Sequence, residues 1–238
     1  MRFLLSLTLV SFLLACTKKN EPVTGYVPRD TASDTLATPA KTYLALGDSY
    51  TIGQSVGETE RFPAQTTAML RQQGIKLSDP VYIAQTGWTT ASLQSAIVSQ
   101  NPSPTFDVVT LLIGVNDQYQ RMDTAGYATR FTQLLENAIE LAKGNKANVF
   151  VLSIPDYSVT PFVAASEKPR VSKEVDWFNA INKRITTAHE VSYTDIMPLS
   201  REAATDASLI ANDGLHPSGS EYHKWAEVLA PKIQARLQ

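Results

Sequence analysis

Four short stretches carry side chains that could together cleave an acyl bond: Gly47-Asp48-Ser49, Ala84-Gln85-Thr86-Gly87, Gly114-Val115-Asn116-Asp117 and Asp213-Gly214-Leu215-His216. A serine hydroxyl is a weak nucleophile near neutral pH. It needs an adjacent base, a group that orients the base, and donors for the oxyanion formed on attack. Ser49 supplies the hydroxyl, His216 the base and Asp213 the orienting carboxylate. The backbone N–H groups of Ser49 and Gly87, with the Asn116 side-chain amide, supply the donors. The three-residue step from Asp213 to His216 lets one loop present both acid and base. No Gly-x-Ser-x-Gly elbow occurs, so the nucleophile pattern of the α/β-hydrolases is absent. Tyr50 and Trp88 flank the nucleophile and the oxyanion glycine and are candidates for the substrate pocket, with core or rim packing as the equal alternative. Asp48 and Asp117 read as turn and capping acids that hold their loops. His189 and His223 have no His-Glu-x-x-His pattern around them and read as a strand-edge and a solvated helix residue, so no metal and no cofactor are expected.

Such residues must be presented at one edge of a scaffold. Short β-rich apolar runs occur at Tyr43 to Leu46, Val81 to Ala84, Val108 to Ile113, Val149 to Ile154 and, more weakly, Val191 to Ile196. Helical patterns alternate with them. Asp123 is placed to cap a helix whose Tyr127, Phe131, Leu134, Leu135, Ala138 and Ala142 recur at three- and four-residue spacing, with Gly144 after its end. Ser172 is placed to cap another through Trp177, Ile181 and Ile185, and Pro217 to open a last one with Tyr222, Trp225, Leu229 and Ile233 on one face. This βαβ alternation predicts a three-layer α/β/α domain over residues 41–238 with a five-stranded parallel, flavodoxin-like sheet. In such sheets ligands bind beyond the carboxyl ends of the strands, where all four stretches fall. The long segment from Pro155 to Pro169, with Asp156, Tyr157, Pro161 and Phe162, exceeds an ordinary connection and is expected to form a lid or substrate wall, with a disordered insert as the alternative.

Taken in order, the four blocks resemble those of the SGNH or GDSL hydrolases, from about Tyr43 to the C-terminal helix. Two departures are visible: Tyr50 stands where many members have leucine, and the Gly87 block begins with Ala84 where many begin with asparagine. The resemblance implies a serine esterase acting through an acyl-serine intermediate. The substrate classes it implies are short-chain acyl esters, lysophospholipids and acetylated sugars, with a carbohydrate O-deacetylase as the alternative. A non-catalytic lipoprotein binding envelope glycans is the reading from another class, against which the intact nucleophile, base, acid and amide argue.

The rest of the composition bounds the setting. At 238 residues, 43% of them hydrophobic, the chain can bury one α/β core. A formal net charge of -2 without basic runs excludes a polyphosphate-binding face, so no nucleic-acid partner is expected. The single cysteine, Cys16, excludes an internal disulfide framework. Arg2 and the apolar stretch from Phe3 to Leu14 have the form of a signal-peptide core and fall short of the ~20 residues that span a bilayer. Leu13-Leu14-Ala15-Cys16 resembles a lipoprotein lipobox, which implies residues 1–15 as a cleaved leader and a diacylglycerol on Cys16. Residues 16–40, with Pro22, Pro28 and Pro39, read as a tether. Thr17 in place of an aspartate favours the outer membrane over the inner. The expected location is therefore the bacterial cell envelope, with a membrane reached through the lipid.

Overall fold

The computed structural model describes residues 39–238; the expected leader, Cys16 and the expected tether up to residue 38 lie outside the described residues. The apolar runs form β1 (Tyr43–Gly47), β2 (Val81–Ala84), β3 (Val108–Leu112), β4 (Val149–Leu152) and β5 (Ser192–Thr194), each within two residues of its sequence expectation. All pairings are parallel, in the order β2-β1-β3-β4-β5. Every residue of β1, β3 and β4 is buried, which is why these strands read as unbroken apolar runs instead of alternating ones.

The helices are α1 (Ser49–Ile52), α2 (Phe62–Gln72), α3 (Thr90–Gln100), α4 (Val115–Tyr119), α5 (Thr124–Leu141), α6 (Lys168–Ala188), α7 (Met197–Arg201) and α8 (Gly219–Leu237). The winding reverses between β1 and β3: the first crossover steps to β2 and all later ones step the other way. Because such crossovers are right-handed, the reversal puts α2 on one face, where α8 packs against it, and α3, α5 and α6 on the other. The chain thus forms the expected three-layer α/β/α fold. The switch point between β1 and β3 opens the crevice in which this topology places ligands.

Helix α5 follows its pattern: Asp123 accepts the Gly126 N–H at 2.6 Å, and Tyr127, Phe131, Leu134, Leu135 and Ala138 are buried. Two helix starts differ from expectation. Helix α6 begins at Lys168, because Pro169 fits in a first turn where its missing N–H has no intrahelical role. Ser172 is therefore inside the helix, and its hydroxyl donates to Asp156 Oδ2 at 2.7 Å instead of capping. The buried stripe of α6 runs through Val171, Val175, Phe178, Asn182 and Ile185, which leaves Trp177 turned outward and 52% exposed. Helix α8 is capped by Ser218, which accepts the Glu221 N–H, and Pro217 stands just before it.

Candidate active site

The chain leaves β1 at Gly47 and turns into α1 within one residue. Asp48 accepts the Tyr50 N–H at 3.0 Å and so caps α1, placing Ser49 at its first position. Ser49 Oγ lies 2.9 Å from His216 Nε2, and His216 Nδ1 lies 2.6 Å from Asp213 Oδ2. Asp213 Oδ1 accepts the N–H groups of Leu215 and His216, both at 2.9 Å, so a tight local turn sets the distance between acid and base. The Ser55 hydroxyl donates to Asp213 Oδ2 at 2.6 Å. Partial burial works to raise the Asp213 pKa, but the donors from Ser55, His216 and Leu215 outweigh it and hold the carboxyl well below the usual carboxylate range. An ionised Asp213 keeps the proton on His216 Nδ1 and leaves the Nε2 lone pair facing the Ser49 hydroxyl. Serine and histidine are both buried.

The donor side is built by the loops after β2 and β3. Gln85 to Trp88 form a turn closed by the Trp88 N–H on the Gln85 carbonyl, with Gly87 at φ +82° in its third position. A β-carbon there would meet nothing within 4 Å, so glycine is needed for the backbone angle and not for space. Gly114 is constrained differently: at φ +128° its β-carbon would lie 2.2 Å from Tyr127 Oη. That turn carries α4 and Asn116, whose Nδ2 donates to the Trp88 carbonyl at 3.0 Å. One amide hydrogen is thereby fixed and the second is left for the crevice. The Ser49 N–H, at the first position of α1, has no partner in its helix.

Ser49, Gly87, Asn116 and His216 line one cavity of about 150 Å³, together with Tyr50, Thr86, Val115, Tyr119, Tyr157, Phe162 and Leu215. Tyr50 is buried beneath it, its ring 5.0 Å from the His216 ring, and burial pushes its phenol well above the ordinary value. The Trp88 ring packs against the core and is not part of the lining; its carbonyl is what reaches the site. The 155–169 segment is an ordered wall that contributes Tyr157 and Phe162. Asp156 ties it down by accepting from Ser158 N–H, Ser172 and Arg201. The Phe162 N–H donates to the Gly214 carbonyl, joining the wall to the acid–base loop. Sequence reasoning missed Ser55, Thr86, Tyr119 and Leu215. Leu215 lies inside the Asp213 to His216 spacing and Thr86 beside Gly87, and both could have been read; Ser55 and Tyr119 carried no local signal.

The two motif acids sit where turn and cap roles put them. Asp117 is buried and accepts from the Thr90 N–H at 2.8 Å and the Thr90 hydroxyl at 2.5 Å, with Arg130 at 3.3 Å, which fastens α3 to α4. Asp48 is wholly buried, with Oδ2 unpartnered, and burial pushes its pKa up to about 8, opposed by the Tyr50 N–H and reinforced by nearby Asp117. His189 closes the end of α6 on the Ile185 carbonyl, and His223 on α8 meets Gln65. Among the described residues no group of three His, Cys, Asp or Glu side chains comes together as a metal site.

Residues 45–224 match the family model of the GDSL-like Lipase/Acylhydrolase family. No curated protein matches the sequence. Among solved structures, the lipase Lip_vut3 from a goat rumen metagenome superposes with a TM-score of 0.67 at 20% identity, over 84% of this chain and 100% of that one. The lipase/acylhydrolase from Enterococcus faecalis gives 0.63 at 18% identity, over 83% and 97%. The acetylxylan esterase Axe2 from Geobacillus stearothermophilus gives 0.59 at 19% identity, over 83% and 94%. At these identities the likeness is one of fold.

Proposed function

The chain belongs to the GDSL-like lipase/acylhydrolase family, and from that premise we propose that it hydrolyses carboxylic esters through an acyl-serine intermediate at Ser49. The observation that carries this reading is the unbroken hydrogen-bonded chain from Ser49 through His216 to an ionised Asp213, opening on a single cavity. His216 Nε2 takes the Ser49 proton as Oγ attacks the acyl carbon, then gives it to the departing alcohol. Water then attacks the acyl carbon as it gives its proton to the same nitrogen, and that proton passes to Ser49 Oγ as the acyl–serine bond breaks and the acid departs. The N–H groups of Ser49 and Gly87 and the free amide hydrogen of Asn116 take up the charge on the tetrahedral oxygen, where fixed donors act most strongly. Neither a metal nor a cofactor enters this scheme.

A fluorophosphonate tests it, since the reagent needs the nucleophile and base but no particular substrate. Wild type is labelled on Ser49, whereas Ser49→Ala takes no label and retains only the small residual turnover that binding and oxyanion donors supply. Label on another serine, or full turnover by Ser49→Ala, sinks the assignment. O-acetylated carbohydrate is the second substrate reading. The mouth of the cavity exposes the rings of Tyr119 (57%) and Phe162 (49%), flat apolar faces of the kind on which sugar rings stack. A panel of p-nitrophenyl esters of graded chain length beside acetylated xylan separates it from a simple short-chain esterase. We further propose that Cys16 carries the lipid that holds the enzyme in the bacterial envelope. Cys16→Ala is then recovered in the soluble fraction, and a variant that still pellets with salt-washed membranes refutes the anchor.

A further inference from the structure

Asp213 has one donor that its own loop does not provide. Oδ1 is filled by Leu215 and His216 N–H from the local turn, and Oδ2 is shared between His216 Nδ1 and the hydroxyl of Ser55, each at 2.6 Å. Ser55 follows closely on α1, the helix that begins with Ser49. It is held at φ +69°, a left-handed conformation that L side chains other than Asn and Asp seldom adopt. Its neighbour Gln54 is tied by Oε1 to the Thr86 hydroxyl at 2.7 Å, next to Gly87. A strained serine aimed at a carboxylate, on the segment leading away from the nucleophile, is an observed outlier that asks for a function.

We propose that Ser55 is a positioning residue for the acid–base pair: its hydroxyl fixes the Asp213 carboxylate plane against His216 and disperses part of the charge on Oδ2. The inference rests on the acyl-serine reading above. With the hydroxyl present, Oδ2 is aimed at Nδ1 and is a weaker partner for the imidazolium, so the proton returns readily to the leaving alcohol. Without it, Oδ2 loses a donor while Oδ1 stays held by its two N–H groups, and the more concentrated charge on Oδ2 holds the imidazolium more tightly. Turnover falls, and the acid limb of kcat/KM moves to higher pH. The other titratable groups packed around the pair are Asp48 before α1, Tyr50 on α1, Asp156 and Tyr157 on the wall, and Glu221 and Tyr222 on α8. A substitution at Ser55 leaves all of them in place.

Ser55→Gly and Ser55→Ala separate positioning from folding. Glycine accepts φ +69° without strain and alanine does not, yet both remove the hydroxyl. Both variants are expected to lose about tenfold in kcat, the size of one hydrogen bond to a charged group, with KM within about twofold. The acid limb rises by roughly half a pH unit in both, fluorophosphonate labelling of Ser49 persists at a reduced rate, and Ser55→Gly melts no lower than wild type. Wild-type kcat and an unmoved acid limb in Ser55→Gly overturn the proposal. So does a loss of activity that tracks a lowered Tm with the limb unmoved, which marks a merely structural serine. Ser49→Ala is run beside them: if it is inactive while Ser55→Gly behaves as wild type, only this inference fails, whereas an active Ser49→Ala removes the acyl-serine reading itself.

Discussion

Asp48→Asn is the perturbation that tests the electrostatics of the nucleophile turn most directly. The carboxyl is wholly buried, accepts one N–H through Oδ1, has no partner at Oδ2, and its pKa is pushed from 3.8 up to about 8 by burial first. The sign is opposite to that of an ion-paired carboxylate. Below about pH 4 both folded and unfolded chains hold the proton, and the group contributes no pH dependence. Between about 4 and about 8 the unfolded chain releases the proton while the folded chain keeps it, so rising pH favours unfolding. At one proton the slope is about 1.4 kcal/mol per pH unit, and over the four-unit window the sum is roughly 6 kcal/mol. Asparagine cannot titrate, and its Oδ1 still accepts from Tyr50. Its Nδ2 adds an unpaired donor whose cost is the same at every pH, so the slope and not the offset carries the information. Urea unfolding of both proteins at pH 5, 6, 7 and 8 gives the stability difference, in which groups far from the substitution cancel. The difference should move in favour of Asp48→Asn by about 1.4 kcal/mol per unit from pH 5 to pH 7 and by less as pH approaches the folded-state value of about 8. Parallel curves would mean that Asp48 is already ionised in the folded protein, and the argument from burial would fail.

Two further outcomes follow from the same loops. Asn116→Ala removes an oxyanion donor but leaves Ser49 and His216 paired; kcat should fall about 10²- to 10³-fold with KM little changed, and steady-state kinetics showing only a raised KM would move the donor role elsewhere. Gly114→Ala forces a β-carbon to 2.2 Å from Tyr127 Oη at a backbone angle that L residues avoid, so the fold should lose at least ~2 kcal/mol in urea unfolding; a loss of under ~0.5 kcal/mol would show that the Tyr127 ring yields freely.

The three central strands β1, β3 and β4 were legible because strands buried on both faces have only one way to be written, as short unbroken apolar runs bounded by turns; the edge strands β2 and β5 are partly exposed, and β5 was correspondingly the weaker signal. The helices were legible in proportion to their apolar stripes. Helix α5 buries six side chains, five of them strongly apolar, and was read correctly. Helix α2 buries Phe62, Pro63, Thr66, Thr67 and Leu70, and α3 only Thr90, Leu93 and Ile97, so neither shows a periodicity that stands out from a loop. Ser172 reads as a cap because serine is favoured at helix starts, and only the fold shows that Asp156, sixteen positions earlier in the wall, takes its hydroxyl.

The site divides along the same line, between contacts made within a few residues and contacts made across the molecule. Asp213 and His216 are three apart, and the N–H groups that fill Oδ1 come from the intervening turn, so a short string of residues states the geometry almost completely. Gly87 and Asn116 are legible for a related reason: one sits in the turn after β2 and the other in the first turn of the short helix after β3, and the sheet order brings those strand ends together. Ser55 reaches Asp213 across 158 positions and depends on a left-handed backbone that no residue preference announces for serine. Tyr119, at the end of α4, and Phe162, in the wall, meet with their rings 6.0 Å apart from different crossovers. What short motifs encode is therefore the reacting group and the turn that holds it. What shapes the rate and the choice of ester, the hydroxyl behind the acid and the rings at the mouth, is encoded only in the way separate crossovers return to the same edge of the sheet.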